Sequence, residues 1–492
     1  MNWAQRVCFA CGQLGMMALA RYFFSWIIRY ANAQEPGAGP GEAAFLFSAA
    51  AVGMALLAFR IFDGVTDPLA GVLSDGWVRK GRERRSLLLF SFLLPPLGLA
   101  LCFLPTHAMS ELLRWTLLLA GMFLFFVGYT LYAIPYWSLI DDYAGDDGDE
   151  RRVLSNLLGA GLLLATAAIA VLSPLVIGEQ GAYGTGALVV AGPAALLMLL
   201  PWLAQPKGAG ARKAAPGEPP RALWAVLSDA LRHRRFLAVL AIFSGSQMSF
   251  TVVTAAAPFI CSDLLGGTDA DVPKIMAPFL GTAIPFFLVA PVLSRRLGWE
   301  KAVWMASLLL GAVYAGTAGL GSGVIGSPWT TAMLLFGLGG PMAAVLLGLE
   351  GEAIAACCRE RPGATISIYF GMFNFAIKCL NGVAIALSGW LVEQARGSWG
   401  VGAIRGMCLT AGALLVLGVV AYFALAPRGS QPEPVARPAA CLDVGAQVLD
   451  LAVGELARVL ADGLPGPGKR LPARHGEAAL RGLGVLRAVG PQ

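Results

Sequence analysis

The chain has little charge for its length. Only 13% of its 492 residues are Asp, Glu, Lys or Arg, whereas 57% are hydrophobic. Soluble domains contain about 25% charged residues, so this chain has too few to cover a water-soluble globule of its size. The composition excludes an ordinary soluble protein and indicates that a lipid bilayer is the solvent.

Histidines and patterned cysteines are also scarce. The three histidines, His107, His233 and His475, lie far apart, and neither His-Glu-x-x-His nor Gly-x-Ser-x-Gly occurs. Cys8 and Cys11 form a Cys-x-x-Cys, but no second ligand pair accompanies them. We therefore expect no enzyme, no cofactor and no metal site beyond a transported cation.

The sequence contains instead a series of apolar segments close to the roughly 20 residues that a helix needs to cross a bilayer. The first of them, from Val7 to Ile28, lacks a small-residue cleavage site and is interpreted as a span rather than a signal peptide. The predicted fold class is an all-α integral membrane protein of about twelve transmembrane helices. The predicted spans are 6–29, 43–74, 86–105, 114–140, 153–178, 186–204, 236–261, 273–294, 302–322, 328–349, 364–393 and 402–427.

The spans fall into two groups of six. We predict an N-terminal half at 1–204, a polar linker at 205–235, a C-terminal half at 236–427 and a mostly disordered tail at 428–492, because linker and tail are rich in Gly, Pro and Arg. Lys and Arg cluster in the loops after even-numbered spans, so the positive-inside rule places both termini in the cytoplasm. The net charge of +6 is thereby explained without nucleic-acid binding. Two six-helix halves match the architecture in which parallel repeats rock about a central substrate site, although other twelve-span architectures exist.

Charged residues inside the spans are the strongest functional signal. Arg60, Asp63 and Asp67 lie three and four residues apart in the second span, so they share one helix face. Ionised side chains are costly in hydrocarbon, so such a cluster indicates a functional site, with structural ion pairing as the alternative. Arg60 neutralises one carboxylate, and the other must be protonated or bind a cation. Lys378 in the eleventh span is the matching charge from the other half.

Oxygen atoms near these aspartates suit a small cation. Pro68 has no N–H to bond the carbonyl of Gly64, and Thr66 adds a hydroxyl. Such hard ligands fit sodium and also a proton shared between carboxylates, and of the two we favour sodium.

Further polar residues are weaker candidates. Arg21 is a substrate-site candidate that could instead reach the lipid headgroups. Gln247 and Asn374 could hydrogen-bond a substrate, although packing between helices explains them equally well. A cytoplasmic gate is predicted for one acidic and three basic residues, with ordinary positive-inside charge as the alternative. These are Asp75, Arg82, Arg84 and Arg85.

Three blocks resemble the glycoside-pentoside-hexuronide:cation symporter family of the major facilitator superfamily. They are RIFDGVTDPLAGVLSD with the basic loop RKGRERR, GYTLYAIPYWSLI in the fourth span, and YFGMFNFAIKCLNGVA in the eleventh. The resemblance covers about residues 1 to 427. It implies that Asp63, Asp67 and Thr130 bind the coupling cation and that Lys378 links this site to the opposite half. Thr66 stands where the family has an asparagine ligand, a swap that keeps an oxygen.

The sugar-binding positions depart from the family pattern. Two acidic positions fall on Met17 and Ala133, and an arginine position in the fifth span falls near Asn156, whereas Trp137 is kept as a stacking platform. Loss of carboxylates argues against a galactoside, since sugar hydroxyls need well-placed polar partners. The substrate therefore stays open between a modified glycoside and an amphipathic organic molecule. The second possibility is included because related members of the family transport lysophospholipids.

Together these features predict a cation-coupled, preferably sodium-coupled, symporter of a small organic solute that works by alternating access. A proton-coupled transporter or exporter of the same fold and a lysophospholipid-type symporter are the alternatives. We expect it to function as a monomer in membrane lipid, in a bacterial inner membrane.

Overall fold

The computed structural model describes residues 1–35, 45–145, 147–178, 180–204, 232–322, 327–360 and 366–426. The predicted tail at 428–492 and the predicted linker up to residue 231 lie outside the described residues. Within the described ranges the regular elements are helices, accompanied by one isolated antiparallel bridge between Gln34 and Phe45. The expected all-α architecture is therefore confirmed.

Thirteen α-helices occur in the part of the chain that the structure describes. They are α1 (Trp3–Ala31), α2 (Ala49–Arg79), α3 (Ser86–Ser91), α4 (Leu94–Cys102), α5 (Glu111–Ala144), α6 (Gly148–Ile177), α7 (Tyr183–Leu199), α8 (Arg234–Phe259), α9 (Val272–Leu297), α10 (Trp299–Thr317), α11 (Pro328–Arg359), α12 (Ile366–Ala395) and α13 (Val401–Leu425). We call α1–α7 the N-terminal half and α8–α13 the C-terminal half.

These helices correspond to the twelve predicted spans, because α3 and α4 together form one apolar segment. Nine of the described helices are long and apolar enough to cross a membrane. The other three segments are the pair α3–α4, helix α9 and helix α10. Several predicted ends differ from the helix bounds, and the second span, predicted at 43–74, corresponds to α2 at Ala49–Arg79. The tenth span was expected to end at 349 but α11 continues to Arg359, and α8 begins at Arg234 inside the predicted linker.

Polar caps and a glycine explain where several helices begin and end. Asn2 and Gln5 cap each other's backbone N–H at the start of α1, at 2.8 and 3.0 Å. Ser48 accepts from the N–H of Ala51 at the start of α2. Gly298 has φ +82° and forms the one-residue turn between α9 and α10, a conformation that favours glycine. The membrane face on which α1 begins is called the N-terminal face below, and the other the opposite face.

Aromatic side chains fix α1 against α5 and α7 in the N-terminal half. The ring of Phe23 stacks on that of Phe125 with centroids 4.6 Å apart. The hydroxyl of Tyr136 donates to the carbonyl of Phe9, and that of Tyr132 to the carbonyl of Met198, both at 2.6 Å. Buried hydroxyls satisfied in this way hold α5 in one rotation, which directs its Thr130 toward α2.

Small residues allow α2 and α12 to approach closely across the two halves. A Cβ atom built on Gly53 would lie 3.0 Å from Cα of Ala386, and one built on Gly389 would overlap the carbonyl oxygen of Ala49. Glycine and alanine at a membrane crossing permit such backbone contact. The crossing brings the middle of α2 against the middle of α12.

Replacing Gly389 with Val should force α2 and α12 apart, because the new side chain would overlap the backbone of Ala49. Overpacking of this kind costs about 1–3 kcal/mol, so the melting temperature of the purified protein should fall. Gly192→Val in α7 is the matched control, because a Cβ there meets no atom within 4 Å. Equal melting temperatures for Gly389→Val and the wild type would contradict the close approach.

Candidate cation and substrate site

The structure brings both aspartates of α2 together with the lysine of α12. Nζ of Lys378 lies 2.5 Å from Oδ2 of Asp67 and 3.0 Å from Oδ2 of Asp63. Nη1 of Arg60 lies 3.2 Å from the same Asp63 oxygen. The side chain of Asp63 is 0% exposed, whereas Lys378 and Asp67 remain 17% and 22% exposed. Two carboxylates thus face two cations, and Lys378 of the other half is the second of these.

Thr130 completes the contacts of the carboxylates, but Thr66 does not. The Thr130 hydroxyl donates to Oδ1 of Asp63 at 2.8 Å and lies 3.4 Å from Oδ1 of Asp67. The Thr66 hydroxyl donates instead to the backbone carbonyl of Asp63 at 3.1 Å, within its own helix. Of the four predicted cation-binding residues, the structure groups Asp63, Asp67 and Thr130.

Arg21 and Arg60 lie beside this group on the side of α1. The guanidinium of Arg60 lies over the ring of Phe24, 4.6 Å from its centroid. Arg21 is exposed, and its neighbours include Arg60 and the neutral phenol of Tyr129. Arg21 thus neighbours residues that adjoin the two aspartates, and its role as a substrate residue stays a prediction.

Other predicted substrate residues occupy different positions. Nε1 of the half-buried Trp137 donates to Oε1 of Gln13 at 3.0 Å, which holds the indole in place. Sequence reasoning missed Gln13, because an uncharged residue among apolar neighbours gave little signal. Asn156 and Asn374 are exposed, and no hydrogen bond brings either into this group within the described residues.

Gln247 contacts an acid that sequence reasoning missed. Nε2 of Gln247 on α8 donates to Oε2 of Glu350 on α11 at 2.7 Å. The predicted tenth span ended at 349, so Glu350 fell just outside it. The apolar residues 353–358 that follow Glu350 were the available signal that the helix continues.

The predicted gate is only partly assembled. Nη1 of Arg84 lies 3.0 Å from Oδ1 of Asp75, and its Nε lies 3.0 Å from Oδ2 of Asp142 on α5, an acid that was not predicted. Arg82 instead lies over the ring of Trp77, with 4.3 Å from its Cζ to the centroid. Arg85 pairs with Glu83 and donates to the carbonyl of Trp202, at 2.6 and 3.1 Å. These contacts all stay within the N-terminal half.

Contacts that join the two halves at their ends lie at the opposite face, and sequence reasoning missed them. Nε of Arg29 on α1 lies 2.9 Å from Oδ1 of Asp269, and the hydroxyl of Tyr183 donates to the same carboxylate. Oε2 of Glu393 on α12 accepts from the N–H of Ala49 at 2.8 Å. Nε of Arg396 donates to Oδ1 of Asn32 at 2.5 Å. We call this set of contacts the opposite-face latch.

The described ion pairs at the N-terminal face join helices of one half only. Arg6 pairs with Glu150 in the N-terminal half, and Arg235 pairs with Glu300 and Glu360 in the C-terminal half. The described polar contacts therefore close the opposite face. The aspartate–lysine group, which consists of Asp63, Asp67 and Lys378, lies midway along α2 and α12.

A family model described as MFS/sugar transport protein matches residues 43–427. The chain belongs to this family. It is therefore a membrane transporter of the major facilitator superfamily, and its family and structural neighbours are transporters rather than enzymes. The narrower resemblance to the glycoside-pentoside-hexuronide:cation symporter family stays a prediction. No match was found among curated proteins.

Solved structures of transporters share the fold. A bacterial homologue of the human lysosomal transporter Spinster, inward-facing and unoccupied, superposes with a TM-score of 0.64 at 14% identity, covering 86% of this transporter and 96% of that chain. The nucleoside transporter NupG gives 0.61 at 15% identity, covering 86% and 99%. A point mutant of the peptide transporter POT gives 0.59 at 16% identity, covering 85% and 93%. These likenesses establish the fold of this transporter.

Removing Lys378 should destabilise the transporter, because both aspartates would then face Arg60 alone. Deleting one partner of a buried ion pair costs about 3–5 kcal/mol, and the partial exposure of Lys378 should reduce that cost. We expect Lys378→Met to lower the melting temperature and the double variant Lys378→Met/Asp67→Asn to recover part of the loss. Strictly additive losses in this double-mutant cycle would argue against a direct pair.

Weakening the opposite-face latch should expose the centre of the transporter from that side. We expect the double variant Asp269→Asn/Glu393→Gln to increase several-fold the rate at which a membrane-impermeant maleimide, added at the opposite face, labels a cysteine replacing Phe24. The background should lack the nine native cysteines. Glu111→Gln, an exposed acid at the start of α5 on the same face, is the control. An unchanged labelling rate would mean that the latch does not hold this face closed.

Proposed function

We propose that this transporter is a symporter that couples a monovalent cation, preferably sodium, to a small organic solute. The observation that supports the proposal is the ammonium of Lys378, 2.5 Å from Asp67 and 3.0 Å from Asp63. A sodium ion has the same charge and would use the same oxygens, those of Asp63, Asp67 and Thr130. Binding of the ion would therefore displace Lys378 and leave the net charge of the aspartates and their partner unchanged.

This exchange would link ion binding to movement of the two halves. Lys378 belongs to the C-terminal half and the aspartates to the N-terminal half, so their ion pair joins the halves at the centre of the membrane. A ligand shifts a conformational equilibrium only if its affinity differs between the states. Sodium in place of lysine would release the central contact between α2 and α12 and permit the rocking that alternating access requires.

The cation gradient would supply the driving force for the solute. One charge that crosses the full membrane potential gains about 2.3 kcal/mol per 100 mV. A tenfold concentration ratio corresponds to about 1.4 kcal/mol, so one ion per solute is sufficient for more than tenfold accumulation.

The solute site would lie beside the aspartates, between Arg21 and Trp137. Trp137, held by Gln13, offers a flat apolar face, and Arg21 offers a cation. The positions of Met17 and Ala133 provide no carboxylates for sugar hydroxyls. We therefore propose a sugar-like or amphipathic organic solute, with a lysophospholipid-type molecule as the most apolar case.

The remaining features of the proposal follow from the sequence. Basic loops place the N-terminal face toward the cytoplasm, which would orient the transporter in a bacterial inner membrane with both termini inside. The transporter would function as a monomer, with membrane lipid around it and no cofactor beyond the coupling ion.

Proton coupling is the second candidate. Lys378 and Arg60 already balance both carboxylates, so a proton that binds when Lys378 leaves would serve as well as sodium. A proton-driven importer or exporter of the same fold would use these residues in the same way.

Thermal unfolding of the transporter in liposomes separates sodium coupling from proton coupling. The melting temperature is measured in sodium, lithium or potassium chloride at equal ionic strength and at several pH values. A ligand at about one hundred times its dissociation constant adds roughly 2.7 kcal/mol to the folded state. We expect sodium to stabilise the wild type but neither Asp63→Asn nor Asp67→Asn. Asp141→Asn, an exposed acid of α5 that pairs with Arg151, is the matched control and should respond like the wild type.

Competition with Lys378 adds an internal check. Lys378→Met should reach half-maximal stabilisation at a lower sodium concentration than the wild type, because no ammonium competes for the carboxylates. If no cation stabilises the wild type and only pH matters, sodium coupling is wrong and proton coupling takes its place.

A further inference from the structure

Glu350 is an acid inside a membrane-spanning helix. Helix α11 extends from Pro328 to Arg359, and nine residues, or roughly 13 Å at 1.5 Å per residue, separate Glu350 from its end. The side chain is neither fully buried nor exposed. An ionised carboxylate at such a depth is costly unless an opposite charge or a proton neutralises it.

Within the described residues, Glu350 forms no ion pair. Its hydrogen-bond partner is the neutral amide of Gln247, 2.7 Å away, which orients the carboxyl group but cannot cancel a charge. The described charged groups on the packed helices α8, α9, α10 and α12 are engaged elsewhere or exposed. The ion-paired groups are Arg235 with Glu300 and Glu360, Lys274 with Asp271, Lys378 with the α2 aspartates, and Glu393 with Arg396. His233 contacts Tyr369 and Glu360. The exposed groups are Arg234, Arg296 and Lys301.

The acid adjoins the polar residues at the centre of the bundle. One turn along α8 from Gln247, the hydroxyl of Thr251 lies 2.9 Å from the Gln247 carbonyl and 3.1 Å from Oδ1 of Asn381 on α12. Asn381 is three residues after Lys378, so the two side chains lie on neighbouring positions of one helix face. This face of α8 is therefore directed toward α12 rather than toward lipid, and the side chain of Glu350 remains partly exposed.

We propose that Glu350 is a proton-binding site of the C-terminal half, separate from the cation site on α2. In the protonated state the carboxylic acid is neutral and keeps the hydrogen bond from Gln247. In the ionised state the proton passes to water that enters from the N-terminal face, and an uncompensated carboxylate remains between α8 and α11. The site thus takes one proton and no metal ion, since Glu350 and Gln247 offer a single carboxylate without further anionic ligands.

Infrared difference spectra of the reconstituted transporter, recorded while pH is changed, test this directly. A protonated carboxylic acid has a C=O stretching band that disappears on ionisation and shifts in deuterium oxide. We expect such a band in the wild type and its loss in Glu350→Gln. Glu352→Gln, two residues along α11, where the side chain bonds Ser294 instead, should keep the band. A band that survives in Glu350→Gln, or disappears in Glu352→Gln instead, would overturn the proposal.

One further variant and one further measurement separate the proton site from a structural role and from the proposed cation site. Gln247→Leu should keep the band but move it to higher frequency, because the C=O group loses its hydrogen bond, whereas an unmoved band would contradict the pairing. Glu350→Gln should keep the sodium-dependent rise in melting temperature. Loss of that rise would mean that Glu350 belongs to the cation site. If sodium fails to stabilise even the wild type while the Glu350 band is present, the symporter proposal fails and the proton site stands.

Discussion

The pairing of Lys378 with Asp63 and Asp67 is the interaction on which the other features of the transporter depend. A carboxylate inside a membrane must be neutralised, and here the neutralising charge comes from the other half of the protein. Lysine can reach the aspartates only because glycines allow α2 and α12 to cross in close contact. Thr130 reaches them only because the aromatic core fixes the rotation of α5.

The ion pair of Lys378 with Asp63 and Asp67 lies between two membrane faces at which the described contacts differ. At the opposite face, the latch of Arg29, Asp269 and Glu393 joins the halves, whereas the described ion pairs at the N-terminal face stay within one half. Opening the latch while the lysine still holds both aspartates would strain α2 against α12. Release of the lysine and release of the latch are therefore expected to favour each other, which is the coupling that the proposed symport requires.

Much of the fold could be predicted from sequence. Because polar groups are costly to bury in lipid, each membrane span is a continuous apolar segment that local hydropathy detects. Charge spacing likewise singled out Asp63, Asp67 and Lys378. The predicted end at 349 and the missed Glu350 are errors with one cause. Hydropathy locates helix ends poorly where charged residues begin, so the continuation of α11 past 349 was not recognised. The latch could not be predicted, because Arg29 and Asp269 are 240 residues apart and each lies near a loop where a charge is unremarkable. The contact of Arg82 with the ring of Trp77 could not be predicted either, because sequence reasoning looked for an acidic partner.

The two halves neutralise an acid inside the membrane in different ways, and the difference constrains the order of events. The aspartates of α2 have an internal cation, Lys378, so they stay neutralised before and after an external ion binds. Among the described residues Glu350 has the amide of Gln247 as its partner, so we expect it to become neutral by taking a proton from water. If Glu350 is the proposed proton site, its charge is expected to follow water access to α11, whereas the charge of the α2 aspartates and Lys378 need not. Alternating access would alter the protonation of the C-terminal half even in a cycle whose coupling ion is sodium.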